Sequence, residues 1–375
     1  MLRTYAAAAT FLALTSTLGA QSPVATIGTE QFMLTSRGNG VEYRIDVWLP
    51  AGLDTMTVRP PIFVVTDGNL AFHTAHEINA MLGISGEASP LIIVGVSYPE
   101  KDGRGYTPIY AASRTRDYTP TNIASWPGGG GSAAFVAFLR DELIPFVEGR
   151  YRADSTQRGL GGHSLGGLFA TYVLLQHPGI FSRYWIGSPS LWWDAPLAFT
   201  WVGQAKQAST KPHGRVYLTV GGDESDVMVP PMRRMAAELK RAFPALRVGS
   251  QVFPDESHGS VVGPSLSRAM RFLYGDFGRP TIPISPATRA EFTGDWTAAG
   301  FTVHLRPSPT GLQMSFVYGG NKLVDEMFAA SRDTLFTRKT GATQWVAVRD
   351  AKGKITALRG TLLGATQEYT RAAKR

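Results

Sequence analysis

The sequence has 375 residues, 43% of them hydrophobic and 18% charged, and contains no cysteine. This is the composition of a folded chain long enough for two domains; it excludes disorder, disulfides, thiolate catalysis and cysteine-held metals. The net charge of +8 is scattered without a Lys/Arg block, so a solvated basic surface is expected and no nucleic-acid partner.

In chain order, Arg3 precedes an apolar run over residues 5–14, followed by small and polar residues to Leu18-Gly19-Ala20. This is the pattern of a secretory signal peptide, cleaved near residue 20. The run is too short to span a bilayer, so an exported chain, periplasmic or secreted, is expected, with no integral membrane segment once mature. Tyr43, Ile45, Val47 and Leu49 alternate with Glu42, Arg44 and Asp46, which predicts a half-buried antiparallel strand. Continuous apolar runs at 62–65 and 91–96 suit strands buried on both faces. The first ends in a turn, Asp67-Gly68-Asn69. Between them, His73, His76 and Glu77 have the spacing of a solvated helix face and lack a further ligand, so no metal is expected.

Residues 99–131 read as a long irregular segment carrying Arg104, Tyr106, Tyr110, Arg114, Arg116 and Tyr118, and closing in four glycines. Loops of that length are usually functional or mobile. A helical apolar stripe follows from Phe135 to Val147, with Pro145 set to kink or shorten it.

Residues 161–167 read Gly-Gly-His-Ser-Leu-Gly-Gly and contain a G-x-S-x-G pentapeptide around Ser164. A short strand precedes it, and an apolar helix over 165–176 follows, ending at His177-Pro178. Strand, tight turn and helix are the setting of a nucleophile elbow, with the serine hydroxyl lifted to the sheet edge at a helix N-terminus. Further strands at 216–220 and 248–253 alternate with helices at 231–243 and 260–274, which predicts an α/β fold with a mostly parallel sheet covered by helices. This first domain spans 29–277. A proline-rich linker at 278–287 leads to a small antiparallel β-rich domain at 288–375, with strands at 301–305, 312–317, 334–337, 345–348 and 355–358.

A serine needs a base to take its proton and a third group to orient that base. In the order Ser, acid, His, the base lies beyond Ser164, where His177, His213, His258 and His304 are found. His177 sits at a helix end, His213 on the wrong edge of the sheet and His304 in the β-rich domain. His258 alone falls between a strand and a helix at the edge where Ser164 emerges. The acid should follow the strand at 216–220, where Glu224 is the first choice, Asp223 the second and Asp226 the third. Two backbone N–H groups should hold the developing oxyanion: that of Leu165, and that of Asn69 in the turn after the 62–65 strand. The same residues would serve acyl transfer to another acceptor. A vestigial binding protein is the alternative outside enzymes.

Five segments resemble the esterase-D-like branch of the α/β-hydrolases, which includes enterochelin and salmochelin esterases. They are Asp67-Gly68-Asn69, residues 138–145 (FLRDELIP), residues 162–168 (GHSLGGL), residues 188–194 (SPSLWWD) and Ser257-His258-Gly259. The resemblance covers about residues 30–277. It implies a cofactor-independent serine hydrolase acting on small-molecule carboxylic esters, with Ser164 as nucleophile, His258 as base and Glu224 at the glycine-x-x-acid position. Arg114 and Arg116 are candidates for contacts to a catecholate substrate. The β-rich domain lies outside the resemblance.

Overall fold

A computed structural model of the protein describes residues 26–56, 59–99, 107–275, 281–309, 311–337, 344–362 and 365–372. The expected signal peptide, Glu100 to Tyr106 of the long segment, and the first residues of the linker lie outside them.

Eight strands form the first sheet: β1 (Thr29–Thr35), β2 (Glu42–Trp48), β3 (Pro61–Val65), β4 (Ile92–Ser97), β5 (Asp154–His163), β6 (Arg183–Gly187), β7 (Gly214–Gly221) and β8 (Leu246–Phe253). Their order is β1-β2-β4-β3-β5-β6-β7-β8. β1 and β2 pair antiparallel, as does β2 with β4, and β4 through β8 run parallel. Side chains of β3 alternate between two cores: Ile62 and Val64 enter one, Phe63 and Val65 the other. Both faces of the sheet are therefore covered at β3, and each fully buried aliphatic or aromatic side chain contributes roughly 1.5–3 kcal/mol.

The helices are α1 (Gly68–Ile84), α2 (Pro108–Tyr118), α3 (Ser132–Phe138), α4 (Ile144–Arg150), α5 (Leu165–Gln176), α6 (Leu197–Gln207), α7 (Val229–Ala242), α8 (Val262–Tyr274) and the short α9 (Pro286–Phe292). Buried residues of α1 and α8 share one core, and those of α2, α3 and α5 to α7 the other. No helix among the described residues is long and apolar enough to cross a membrane.

Three local features depart from the sequence reading. The segment expected to be irregular contains α2, opened by Pro108 and by Thr107, whose Oγ1 accepts the Tyr110 N–H at 3.1 Å. Apolar periodicity cannot find it, because its buried face includes Arg114, Thr115 and Asp117. Pro145 does not end its helix. A π-helical turn at Leu139–Leu143 precedes it, with the Ile144 N–H reaching Leu139 five residues back, so the extra residue absorbs the bond that proline cannot make. The linker runs into α9, where Pro286 takes the first helical position behind a Ser285 cap.

Beyond α9 lies a closed antiparallel barrel of eight strands: β9 (Gly294–Ala298), β10 (Phe301–Ser308), β11 (Gly311–Tyr318), β12 (Asn321–Ala329), β13 (Thr334–Thr337), β14 (Gln344–Arg349), β15 (Ile355–Leu362) and β16 (Ala365–Arg371). Each strand pairs with the next, and β16 returns to β9. Trp296, Leu305, Met314, Phe316, Leu335 and Trp345 help to fill its interior. The fold is an α/β-hydrolase sheet with a small β-barrel domain behind it.

Candidate active site

β5 ends at His163, and Ser164 follows at φ 62° and ψ −120° before α5 begins at Leu165. A non-glycine residue in that region carries about 1–3 kcal/mol of strain. The turn is held by the end of the neighbouring strand β6 and the residues after it: the Ser164 N–H donates to Gly187 O at 2.9 Å, and Ser164 O accepts the Ser190 N–H at 3.1 Å. The flanking glycines are a steric requirement. A Cβ on Gly162 would lie 2.2 Å from Gly166 O, and one on Gly166 would lie 2.4 Å from Thr66 Oγ1.

Glu224 and His258 come from the loops after β7 and β8, which are tied together by Gly222 N–H to Phe253 O (2.7 Å) and Asp223 N–H to Glu256 O (3.1 Å). His258 Nδ1 lies 2.6 Å from Glu224 Oε2. The other carboxylate oxygen accepts from Ser188 Oγ at 2.5 Å and from the Gly221 N–H at 2.8 Å. Burial alone would raise the Glu224 pKa, but His258, Ser188 and Gly221 together hold it below the ordinary carboxylate value. Asp223 and Asp226 are exposed.

Ser164, Leu165 and His258 line one cavity of about 690 Å³, walled also by Leu70, Trp126 and Trp192. Ser190 Oγ stands 3.5 Å from Ser164 Oγ. Asp67 and Leu70 line the cavity on either side of Asn69; the Asn69 side chain is turned to the backbone of Tyr98. Arg114 also lines it, bound to Asp67, whereas Arg116 pairs with Asp117 and is not among the lining residues. The remaining histidines stand elsewhere: His177 against Tyr172 at 3.1 Å, His213 beside Lys211 in an exposed loop, and His304 on the barrel against Asp295. His73 and His76 meet at 3.2 Å, and no group of three or more metal-ligating side chains occurs among the described residues.

Two contributors were not singled out from the sequence. Ser188 braces Glu224, and the only hint was its place directly after β6 in the Ser-Pro-Ser run. His163 is the residue before the serine, its ring 4.5 Å from that of His258 and both its nitrogens buried without a partner. Burial, with the neighbouring His258, lowers its pKa to about 4. The unfolded chain therefore takes up a proton near pH 6.5 that the folded chain refuses until about pH 4, and stability falls with pH across that window. In His163→Phe this loss should vanish. Urea unfolding at pH 7 and pH 4.5 should show wild type losing roughly 2 kcal/mol more than the variant. Equal losses would mean that His163 is not held neutral.

Comparison with known proteins places this geometry in a family. Residues 36–244 match the esterase family model described as "Putative esterase". The chain is similar to ferri-bacillibactin esterase BesA of Bacillus subtilis (strain 168), 29% identical over 65% of this chain and 89% of that protein. It is also similar to the siderophore triacetylfusarinine C esterase of Aspergillus fumigatus, 30% identical over 68% of this chain and 96% of that protein. Among solved structures, the BES protein from Bacillus cereus superposes with a TM-score of 0.62 at 31% identity, covering 69% of this chain and 99% of that one. The chain belongs to this esterase family, on an α/β-hydrolase fold, and is an ester hydrolase.

Proposed function

We propose that the protein cleaves small siderophore-type esters through an acyl-enzyme formed on Ser164. In this reading His258 takes the Ser164 proton as the hydroxyl attacks the ester carbonyl, and Glu224 orients the imidazole and stabilises its charge. The tetrahedral oxyanion is held by the N–H groups of Leu165 and Asn69. His258 then protonates the leaving alcohol, and finally activates the water that releases the acid. The observation that carries the reading is the 2.6 Å hydrogen bond that Glu224 Oε2 accepts from Nδ1 of His258, which lines the same cavity as Ser164. Relatives named as siderophore esterases support this substrate class, and the Trp126 and Trp192 walls suit aromatic acyl groups. The pattern of residues 1–20 supports export, with the ester met outside the cytoplasm.

The test is hydrolysis by purified protein of p-nitrophenyl esters of rising chain length beside a catecholate trilactone. Preference for the trilactone by at least tenfold in kcat/KM is expected. Turnover of short acyl esters alone would overturn the siderophore assignment and leave a general carboxylesterase.

A further inference from the structure

We infer that Arg114 and Tyr110 are positioning residues that keep the oxyanion-binding turn open by holding the Asp67 carboxylate away from the N-terminus of α1. The inference rests on the Ser164 chemistry proposed above. Asp67 occupies the N-cap position of α1, where an aspartate ordinarily turns its carboxylate onto the first-turn N–H groups. The dipole of a 17-residue helix favours that arrangement further. Here it does not occur. Asp67 has left-handed backbone angles, φ 54° and ψ 43°, and its side chain makes no cap.

The carboxylate is taken up instead by α2. Arg114 Nε donates to Oδ1 at 3.0 Å, Arg114 Nη2 donates to Oδ2 at 3.0 Å, and the Tyr110 hydroxyl donates to Oδ1. The Asp67 N–H donates to the Tyr118 hydroxyl at 2.9 Å. Tyr110, Arg114 and Tyr118 are four residues apart, so one face of α2 grips both the backbone and the side chain of Asp67. Asp67 is 5% exposed and Arg114 8%, so the grip is shielded from water. Burial disfavours the Arg114 charge, but the Asp67 carboxylate outweighs it, and the net pKa shift is upward.

Freed from α2, Asp67 can relax to the extended backbone of an ordinary N-cap, which brings its carboxylate onto the first-turn donors of α1, the Asn69 N–H among them. It would occupy the group assigned to the oxyanion and bring a negative charge to the place where one must develop. The clamp thus serves the transition state by withholding a competitor, which differs from a merely structural ion pair in what its removal does.

The experiment compares Arg114→Met, Asp67→Gly and the double variant with wild type and Ser164→Ala on p-nitrophenyl acetate. Glycine at 67 keeps the left-handed turn without strain and has no carboxylate to misplace. In R114M, kcat should fall about a hundredfold with KM little changed, the size of losing one oxyanion donor. Adding D67G to R114M should recover at least tenfold in kcat. A structural ion pair predicts the opposite, a double variant no better than R114M, and that result would overturn the inference. If R114M does not fold, Arg114→Lys keeps the charge and breaks the two-pronged grip. There kcat and the affinity for a trifluoromethyl ketone, an oxyanion mimic, should fall by the same factor. A raised KM with unchanged kcat would make Arg114 a substrate contact and sink the clamp. Hydrolysis that persists in Ser164→Ala would sink the catalytic reading itself, whereas Ser164-dependent hydrolysis without recovery sinks the clamp alone.

Discussion

Ser164→Ala is expected to lower ester hydrolysis by about 10⁴-fold or more while leaving the fold intact. The hydroxyl is the only part of the residue with a chemical role in the reading, and the turn is fixed by backbone bonds to Gly187 and Ser190 that alanine keeps. Ser164→Gly should be equally inactive and yet more stable than Ser164→Ala, by about 1 kcal/mol, because only glycine relieves the positive φ of 62°. Turnover assays paired with thermal melts check both statements. Near-normal turnover in either variant would remove Ser164 from the mechanism. Equal melting of the two would mean that the elbow stores no strain.

Glu224→Gln is the second large effect, a fall in kcat of about 10³-fold or more. The Gly221 N–H can only donate, so the glutamine amide must turn its oxygen toward Gly221 and its NH2 toward His258 Nδ1. The imidazole proton is then driven to Nε2, the nitrogen that must accept from Ser164. The opposite orientation restores the tautomer but sets the NH2 against the Gly221 N–H. The first orientation misplaces the imidazole proton, and the second loses a hydrogen bond in a side chain only 2% exposed. Asp223→Asn and Asp226→Asn, at exposed positions, should stay within about twofold of wild type. Measured kcat for the three variants decides the matter. Activity of Glu224→Gln within tenfold of wild type would return the acid role to a neighbour or to none.

What could be read from the sequence was whatever hydrophobic periodicity and glycine spacing encode. The Ser164 elbow was legible because Gly162 and Gly166 are there for steric reasons that no other residue satisfies. β3 and β4 were legible because both faces are buried. α2 was not, since its inward face includes tyrosine, arginine and aspartate bonded to Asp67, Tyr43 and Tyr98 on other segments, a pattern that hydropathy treats as surface. The same cause hid the clamp on Asp67, whose partners are about 45 residues away in sequence. In the barrel, β9 and β16 were missed because each buries one large side chain, Trp296 and Tyr369, among polar neighbours. β12 was obscured by the acidic pair Asp325 and Glu326 in the middle of the strand.

The closure of the barrel sets an order of events during synthesis. Thr297 and Trp296 in its first strand find their second neighbours only in Thr370 and Arg371 of its last strand, which are translated after every other strand of the barrel. The hydrolase sheet, by contrast, has all its strands once Phe253 has left the ribosome. A nascent chain therefore carries a sheet able to complete itself ahead of a second one that stays open, with pairing edges exposed, until β16 is made. A stop codon ahead of β16 would strand it in that form: a finished hydrolase followed by an unsealed, adhesive ribbon.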